Sequence, residues 1–395
     1  MPVLLYVLAV AVFAQGTSEF VLAGLVPGIS TGLGVSIAQA GYLTSGFAVG
    51  MVVGAPLTAA VGRRLPPRWT LSACLLVFVA AHVAGALTDS FAVLLGTRFV
   101  AAVANAGFLA VALSTVQHVV PAGRRARALA VILGGTTLAL VAGVPAGALL
   151  GELWGWRSAL WAIAGVAAAT LVAVACLTPV RLDAGTPRAR VELRAELGAL
   201  RSPDLSRHLG LGVLVNGATF CAFTYLAVVV TDGASLGSAL VPAVLALFGV
   251  GAFAGVSAAG RLADAHGGRL LAVAGPALLT GWVLWAALAP SPAAVWVLAP
   301  VQGALSFAVG GTLIARAMAA AHGAPTMGGA FSTVALNLGA LAGPVLGGSA
   351  VVALGPAGPL VASAVLTAAA VTLGAVTARA TPTARGSDDG ESSPS

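Results

Sequence analysis

The chain has 395 residues, of which 59% are apolar before its 51 glycines are counted and only 8% are charged. Soluble domains reach about 45–50% apolar with glycine included and carry roughly 25% charge, so water is excluded as the main surroundings. All 19 basic residues are arginines and the net charge is +7, but they gather in short gaps between apolar runs, which reads as topology signalling and excludes a nucleic-acid-binding face.

A membrane-crossing helix needs about 20 mostly apolar residues, because lipid offers no partner to an unpaired backbone group. Twelve such spans are predicted, at 5–28, 40–62, 69–88, 90–114, 128–150, 157–177, 208–230, 239–260, 270–289, 294–315, 327–352 and 357–378. The fold class is therefore an all-α polytopic membrane protein. The first span lacks the basic leader and small-residue cleavage site of a secretory signal, so it is read as retained. It carries Gln15 and Glu19. Span two holds Gly46, Gly50 and Gly54 and is followed by RRLPPR. Span four carries Arg98 and, two turns on, Asn105. Span five contains GVPAGALLG at 143–151, and a polar stretch at 178–207 then separates six spans from six. Within it, Leu193, Leu197 and Leu200 recur at helical spacing, consistent with a short amphipathic helix on the membrane surface or with a solvated linker. Span seven carries Asn216, span eight Gly251 and Gly255 with DAHGGR after it, span ten Gln302, and span eleven Asn337 and GPVLGG at 343–348. The tail after Arg379 has the composition of disorder. The division expected is 1–177, 178–207, 208–378 and 379–395.

Orientation follows from the arginines. Arg63, Arg64 and Arg68 follow span two, Arg124, Arg125 and Arg127 follow span four, Arg261 and Arg269 follow span eight, and Arg316 closes span ten. The odd-numbered gaps hold Asp89, Glu152 and Asp232, with Arg157 the one basic residue there. Both termini are thus expected on the cytoplasmic side of the cell (inner) membrane. The paired motifs of spans five and eleven, and the weaker echo of RRLPPR in DAHGGR, argue for duplication. Glycines four apart put a flat groove on a helix face. Such ladders lie in spans two, five (Gly143, Gly147, Gly151), eight and eleven (Gly339, Gly343, Gly347). They read either as permanent packing or as surfaces that move past one another. Pro145 and Pro344 each remove a backbone donor beside a ladder and would kink it.

These residues resemble the major facilitator superfamily, and within it the twelve-span drug:proton antiporters. GALAGPVLGG at 339–348, ending in Gly347 and Gly348, is similar to their GxxxGPxxGG signature, and AGVPAGALLGELWGWR at 142–157 is a variant of it. GRLADAHGGR looks like the cytoplasmic gating motif, supplying Gly260, Asp264 and Arg269. Its first-half counterpart keeps Arg64 and Arg68 but has Arg63 where Asp is expected and prolines in place of the later Gly. FAQGTSEFVLAGLVP at 13–27 and LTDSFAVLLGTRFVAAVANAGFLAVAL at 87–113 are similar to actinobacterial chloramphenicol exporters. The resemblance implies a major facilitator fold of two pseudo-symmetric six-helix halves. Spans two and eleven would pack together, as would five and eight, and the ladders would lie where the halves slide. It also implies export of chloramphenicol or a similar small uncharged drug in exchange for protons. A sugar or purine exporter of the same superfamily is the alternative.

Glu19 and Arg98 are the charged residues well inside spans, where charge is costly and points to function. Counted along their helices at about 1.5 Å per residue, both lie roughly 12 Å below the outer edge. Burial favours the neutral carboxyl and a neighbouring guanidinium the carboxylate, so separating the two would control protonation. A fixed pair aligning two helices is the bland alternative. The resemblance favours coupling for Arg98, which occupies the family's span-four arginine position, although Ala101 to Ala104 stand where Gln-Gly follows elsewhere. Gln15, Asn105, Asn216, Gln302 and Asn337 are candidates for a polar stripe in an apolar cavity or for bonds between helices. One proton moved across 100 mV and one pH unit supplies about 3.7 kcal/mol, enough for a roughly 500-fold gradient.

An enzyme is disfavoured. GISTG at 28–32 fits GxSxG, but it ends a membrane span with no strand before it, so the nucleophile elbow cannot form. No phosphate-binding loop appears. Cys74, Cys176 and Cys221 lie apart inside apolar runs, and the five histidines lack metal spacing, with His82 and His118 placed near span ends. No cofactor and no metal are expected; the partners expected are drug, protons and the lipid bilayer, with the chain acting as a monomer.

Overall fold

A computed structural model describes residues 3–61, 66–178, 198–321 and 328–380. Within these every regular element is helical, as a bilayer requires of a chain that cannot leave backbone groups unpaired. We number the membrane helices in chain order. α1 is Val3–Phe20, continued after a one-residue break at Val21 by Leu22–Leu33. α2 is Ile37–Val61, α3 Pro67–Leu87 and α4 Phe91–Val119. α5 runs Arg125–Leu138, widens into a π-helical turn at Ala139–Gly143 and resumes over Val144–Trp154; α6 is Trp156–Leu177. α7 is Pro203–Thr224, continued by Leu226–Val228 and a π-helical turn at Val229–Gly233. α8 and α9 are the spans Ser238–Ala263 and Ala265–Ala287. α10 is Pro292–Ala320, α11 Gly328–Leu354 and α12 Gly358–Ala380. By length and apolarity 10 of the described segments can cross a membrane, or 11 with the bent α7 counted. The last of them, Ala330–Thr377, is interrupted by a 3₁₀ turn at Gly355–Ala357, so it holds both α11 and α12.

α8 and α9 are joined without an extended loop by a kink at His266, which leaves the helical conformation (φ −131°, ψ 16°) within the gap that the sequence predicts between 260 and 270. Leu193 and Leu197 of the predicted surface helix lie outside the described residues, as do Arg63, Arg64 and the tail beyond Ala380. Leu200 sits in a 3₁₀ turn, Ala199–Arg201.

The glycine ladders do not face the gap between the halves. A Cβ at Gly46, Gly50 or Gly54 of α2 would strike α4 at Leu95, Phe99 or Val103. One at Gly143, Gly147 or Gly151 of α5 would strike Thr17, Val21 or Leu25 of α1. Gly251 and Gly255 of α8 lie on the Pro300 and Ala304 carbonyls of α10. Gly339, Gly343 and Gly347 of α11 lie on α7. Each ladder thus seats its helix inside its own half, as α2 on α4 and α5 on α1, repeated as α8 on α10 and α11 on α7. Close backbone approach stabilises helix pairs in lipid, and the internal symmetry applies it twice. The expected pairings of α2 with α11 and α5 with α8 do occur, on other faces: Ser45 Oγ of α2 donates to the Leu341 carbonyl of α11 (2.8 Å), and Gly249 of α8 lies against Leu140 of α5.

Candidate functional site

Glu19 stands in the last turn of the first part of α1, immediately before Phe20 and the break at Val21. Arg98 projects from α4 and is 2% exposed. Its guanidinium donates to Ser18 twice, to Oγ at 2.7 Å and to the main-chain oxygen at 2.5 Å, and lies 4.6 Å from the ring centroid of Phe47 on α2. A buried charge persists only with such partners. Ser18 Oγ also lies 2.7 Å from Nε2 of His82 on α3, whose Nδ1 is 2.8 Å from the Phe78 carbonyl. That carbonyl can only accept, so Nδ1 carries a proton; in the neutral ring Nε2 then accepts from Ser18, which in turn accepts from Arg98. Four helices are joined around one serine.

Glu19 and Arg98 are close enough to interact electrostatically, yet they are not an ion pair. Among the described residues Arg157–Asp89 is the ion pair, and the carboxyl of the half-buried Glu19 makes no hydrogen bond. Ser18 anchors the guanidinium independently of Glu19. The carboxyl group is therefore free to gain or lose a proton without stripping Arg98 of its partners.

Just beyond Glu19 the two halves close. Phe20 packs on Phe220 and Phe223 of α7, with centroids 5.9 and 6.3 Å apart, and Phe223 on Phe248 of α8 at 4.9 Å. Tyr225, at the break in α7, donates its hydroxyl to the Pro344 carbonyl of α11 (2.7 Å) and approaches the Ala38 carbonyl of α2 (3.5 Å). Gly41 and Gly348 leave room for that ring. Ser238 Oγ donates to Glu152 at 2.7 Å. The phenylalanines lie near the middle of their helices, and the Tyr225 and Ser238 contacts lie toward the end that carries Asp89, Glu152 and Asp232. At the arginine-rich end two apolar clusters are each confined to one half, one around Leu4, Leu71, Val116 and Val174, the other around Leu205, Ala317 and Phe331, and the cluster that joins the halves reaches this end through second-half residues such as Leu211 and Ala370.

The polar candidates divide. Gln15, one turn before Glu19, is 1% exposed with both amide atoms unpartnered, and Asn105 Nδ2 reaches Met51 Sδ at 3.5 Å; both belong to the half that holds Arg98. Asn216 donates to the Leu336 carbonyl of α11 (2.6 Å), Gln302 to the Leu278 carbonyl of α9 (3.1 Å), and Asn337 to Thr333 of its own helix (2.9 Å). Those three are engaged within the second half. Pro145 follows the π-helical turn of α5. Of the gate residues, Arg68 lies 5.9 Å over Trp69, Gly260 and Arg269 are exposed, and Arg64 and the side chain of Asp264 lie outside the described ones. Ser18 is not a candidate in the sequence, and His82 is placed there near a span end without a site role. A serine in an apolar run carries no signal, and His82 lies near the end of its span, yet it is 3% exposed.

The sequence profile of the Major Facilitator Superfamily matches residues 8–335. A chloramphenicol resistance protein of Streptomyces lividans is 53% identical over 372 residues, 94% of this chain and 95% of that protein. The inner membrane transport protein YdhP of Escherichia coli K12 is 33% identical over 88% of each. Among solved structures, a bacterial homologue of the human lysosomal transporter Spinster, inward-facing and occupied, superposes with a TM-score of 0.76 at 17% identity, covering 95% of this chain and 96% of that one. The nucleoside transporter NupG gives 0.72 at 14% identity, covering 95% and 98%. At such identities the likeness is one of fold.

Proposed function

The chain belongs to the major facilitator superfamily, a family of transporters and not of enzymes, and on that premise we propose that it exports chloramphenicol or a similar small uncharged drug in exchange for protons. The observation that carries the coupling is the free carboxyl of Glu19 beside an Arg98 whose two terminal nitrogens are held by Ser18 while its Nε has no acceptor. The substrate class rests on the resistance protein that is 53% identical. In this reading the arginine-rich end is cytoplasmic, so the halves are closed toward the outside. Gln15 and Asn105 face the drug from the first half. Protonation of Glu19 from outside lowers the charge buried beneath the aromatic closure and accompanies the return of the empty carrier; deprotonation toward the cytoplasm restores it. The domain division at 178–207 lets the halves rock as units. One proton supplies about 3.7 kcal/mol at 100 mV and one pH unit, so export of a neutral molecule is electrogenic.

Accumulation of labelled chloramphenicol in cells expressing the chain tests this. Low accumulation that rises to the level of empty cells on adding an uncoupler supports it. Accumulation equal to that of empty cells at the outset refutes the drug assignment and leaves a sugar or purine as cargo. Uncoupler-resistant export refutes the proton.

A further inference from the structure

A second site lies inside the second half, away from Glu19. Helices α7, α9, α10 and α12 enclose a cavity of about 450 Å³ at the arginine-rich end, within the size range of ligand pockets. Its chemistry is zoned. Arg207, His208 and Arg316 stand at one end, and Leu211, Leu271 and Val371 are among its apolar walls. Among the described side chains no carboxylate lines it, and neither arginine forms an ion pair. The Nε of each is buried without an acceptor. The Arg316 guanidinium lies across Gly267 and Gly268, where a Cβ would come within 3.2 Å of it. His208 is turned by its Nδ1 contact with the Asp204 carbonyl (2.7 Å), so Nε2 faces the Arg207 guanidinium at 3.5 Å. Asp204 lies near enough to act on His208 but does not line the chamber, so two half-buried guanidinium groups converge there with Nε donors unmet, an arrangement that an anion would complete.

The chamber is also open outward. Ala272 and Pro276 of α9 and Ala375 of α12 rim it and are exposed, so small side chains leave an entrance between two helices whose outer faces meet lipid. Basic pockets between membrane helices at the anionic leaflet bind lipid headgroups. We infer that this cavity holds one anionic membrane lipid, its phosphate between Arg207 and Arg316 and part of an acyl chain along the walls formed by α9 and α12. Arginine suits that role because its planar fork matches phosphate oxygens. The inference is independent of the proton reading, since none of these residues belongs to the Glu19 site.

Native mass spectrometry of the full chain in neutral detergent tests it with phosphatidylglycerol, phosphatidylcholine and inorganic phosphate as the probes. Retention of one phosphatidylglycerol per chain, about tenfold above phosphatidylcholine and undiminished by equal inorganic phosphate, is the expected result. Arg207→Gln and Arg316→Gln should each lower it about tenfold. Ala272→Phe keeps both charges and fills the apolar chamber; it should lower retention as well, and it carries the test if the arginine variants fail to fold. Equal retention of both lipids, unchanged retention in Ala272→Phe, or displacement by inorganic phosphate would overturn the lipid assignment.

Discussion

Ser18 is the smallest member of the buried network and the one on which the others depend. Ser18→Ala removes the acceptor for one arm of Arg98 and the partner of His82 Nε2. Leaving such groups unsatisfied costs about 1–3 kcal/mol, so this variant should unfold at a lower temperature in a detergent melt while Glu19 is untouched. An unchanged melt would mean that water replaces the hydroxyl. Arg98→Lys keeps the charge but cannot donate in a fork or stack on Phe47 in the same way; drug transport should fall more than tenfold in a chain that still inserts, and wild-type flux would show that Arg98 has no part in transport. Glu19 and Arg98 were legible in the sequence because a charge within an apolar run has few explanations. That Arg98 is held by Ser18 and not by Glu19 was not legible, since helix depth gives level but not rotation about the axis.

The helices explain where glycine is used. Spacing of four identified the ladders, but periodicity within one helix cannot say which neighbour covers the groove, and the grooves turned out to face partners within each half. The two readings separate experimentally. Gly255→Val places a side chain against the Ala304 carbonyl of α10, and overpacking of this kind costs about 1–3 kcal/mol; yield and melting temperature should both fall. Gly249 lies instead against Leu140 and Val141 of α5, across the two halves. Gly249→Val should leave the melt near wild type and lower transport. The reverse pattern would restore the ladders as moving surfaces. The twelve spans were readable from length and apolarity alone. The π-helical turns at Ala139–Gly143 and Val229–Gly233 were not, because they depend on packing and not on composition.

At the scale of the molecule, shared contacts at one end and separate apolar clusters at the other describe two bodies that meet at the arginine-poor side. Ser238 and Glu152 touch across them. A cysteine at each of these positions, in a chain whose own cysteines are replaced, should cross-link readily with a short thiol reagent and stop transport until the link is cleaved. Transport at full rate through the cross-link would mean that this end need not open. The same arrangement puts Glu19 directly beneath the closure, which is why a proton there can be tied to opening it. Purified protein in liposomes with an imposed proton gradient tests that tie most directly, by following drug and protons together for the wild type and for Glu19→Gln. The wild type should concentrate chloramphenicol against its gradient while protons run down theirs, and Glu19→Gln should exchange drug for drug but neither concentrate it nor move protons. A Glu19→Gln chain that still concentrates drug at the expense of the proton gradient would contradict the assignment of the proton to Glu19.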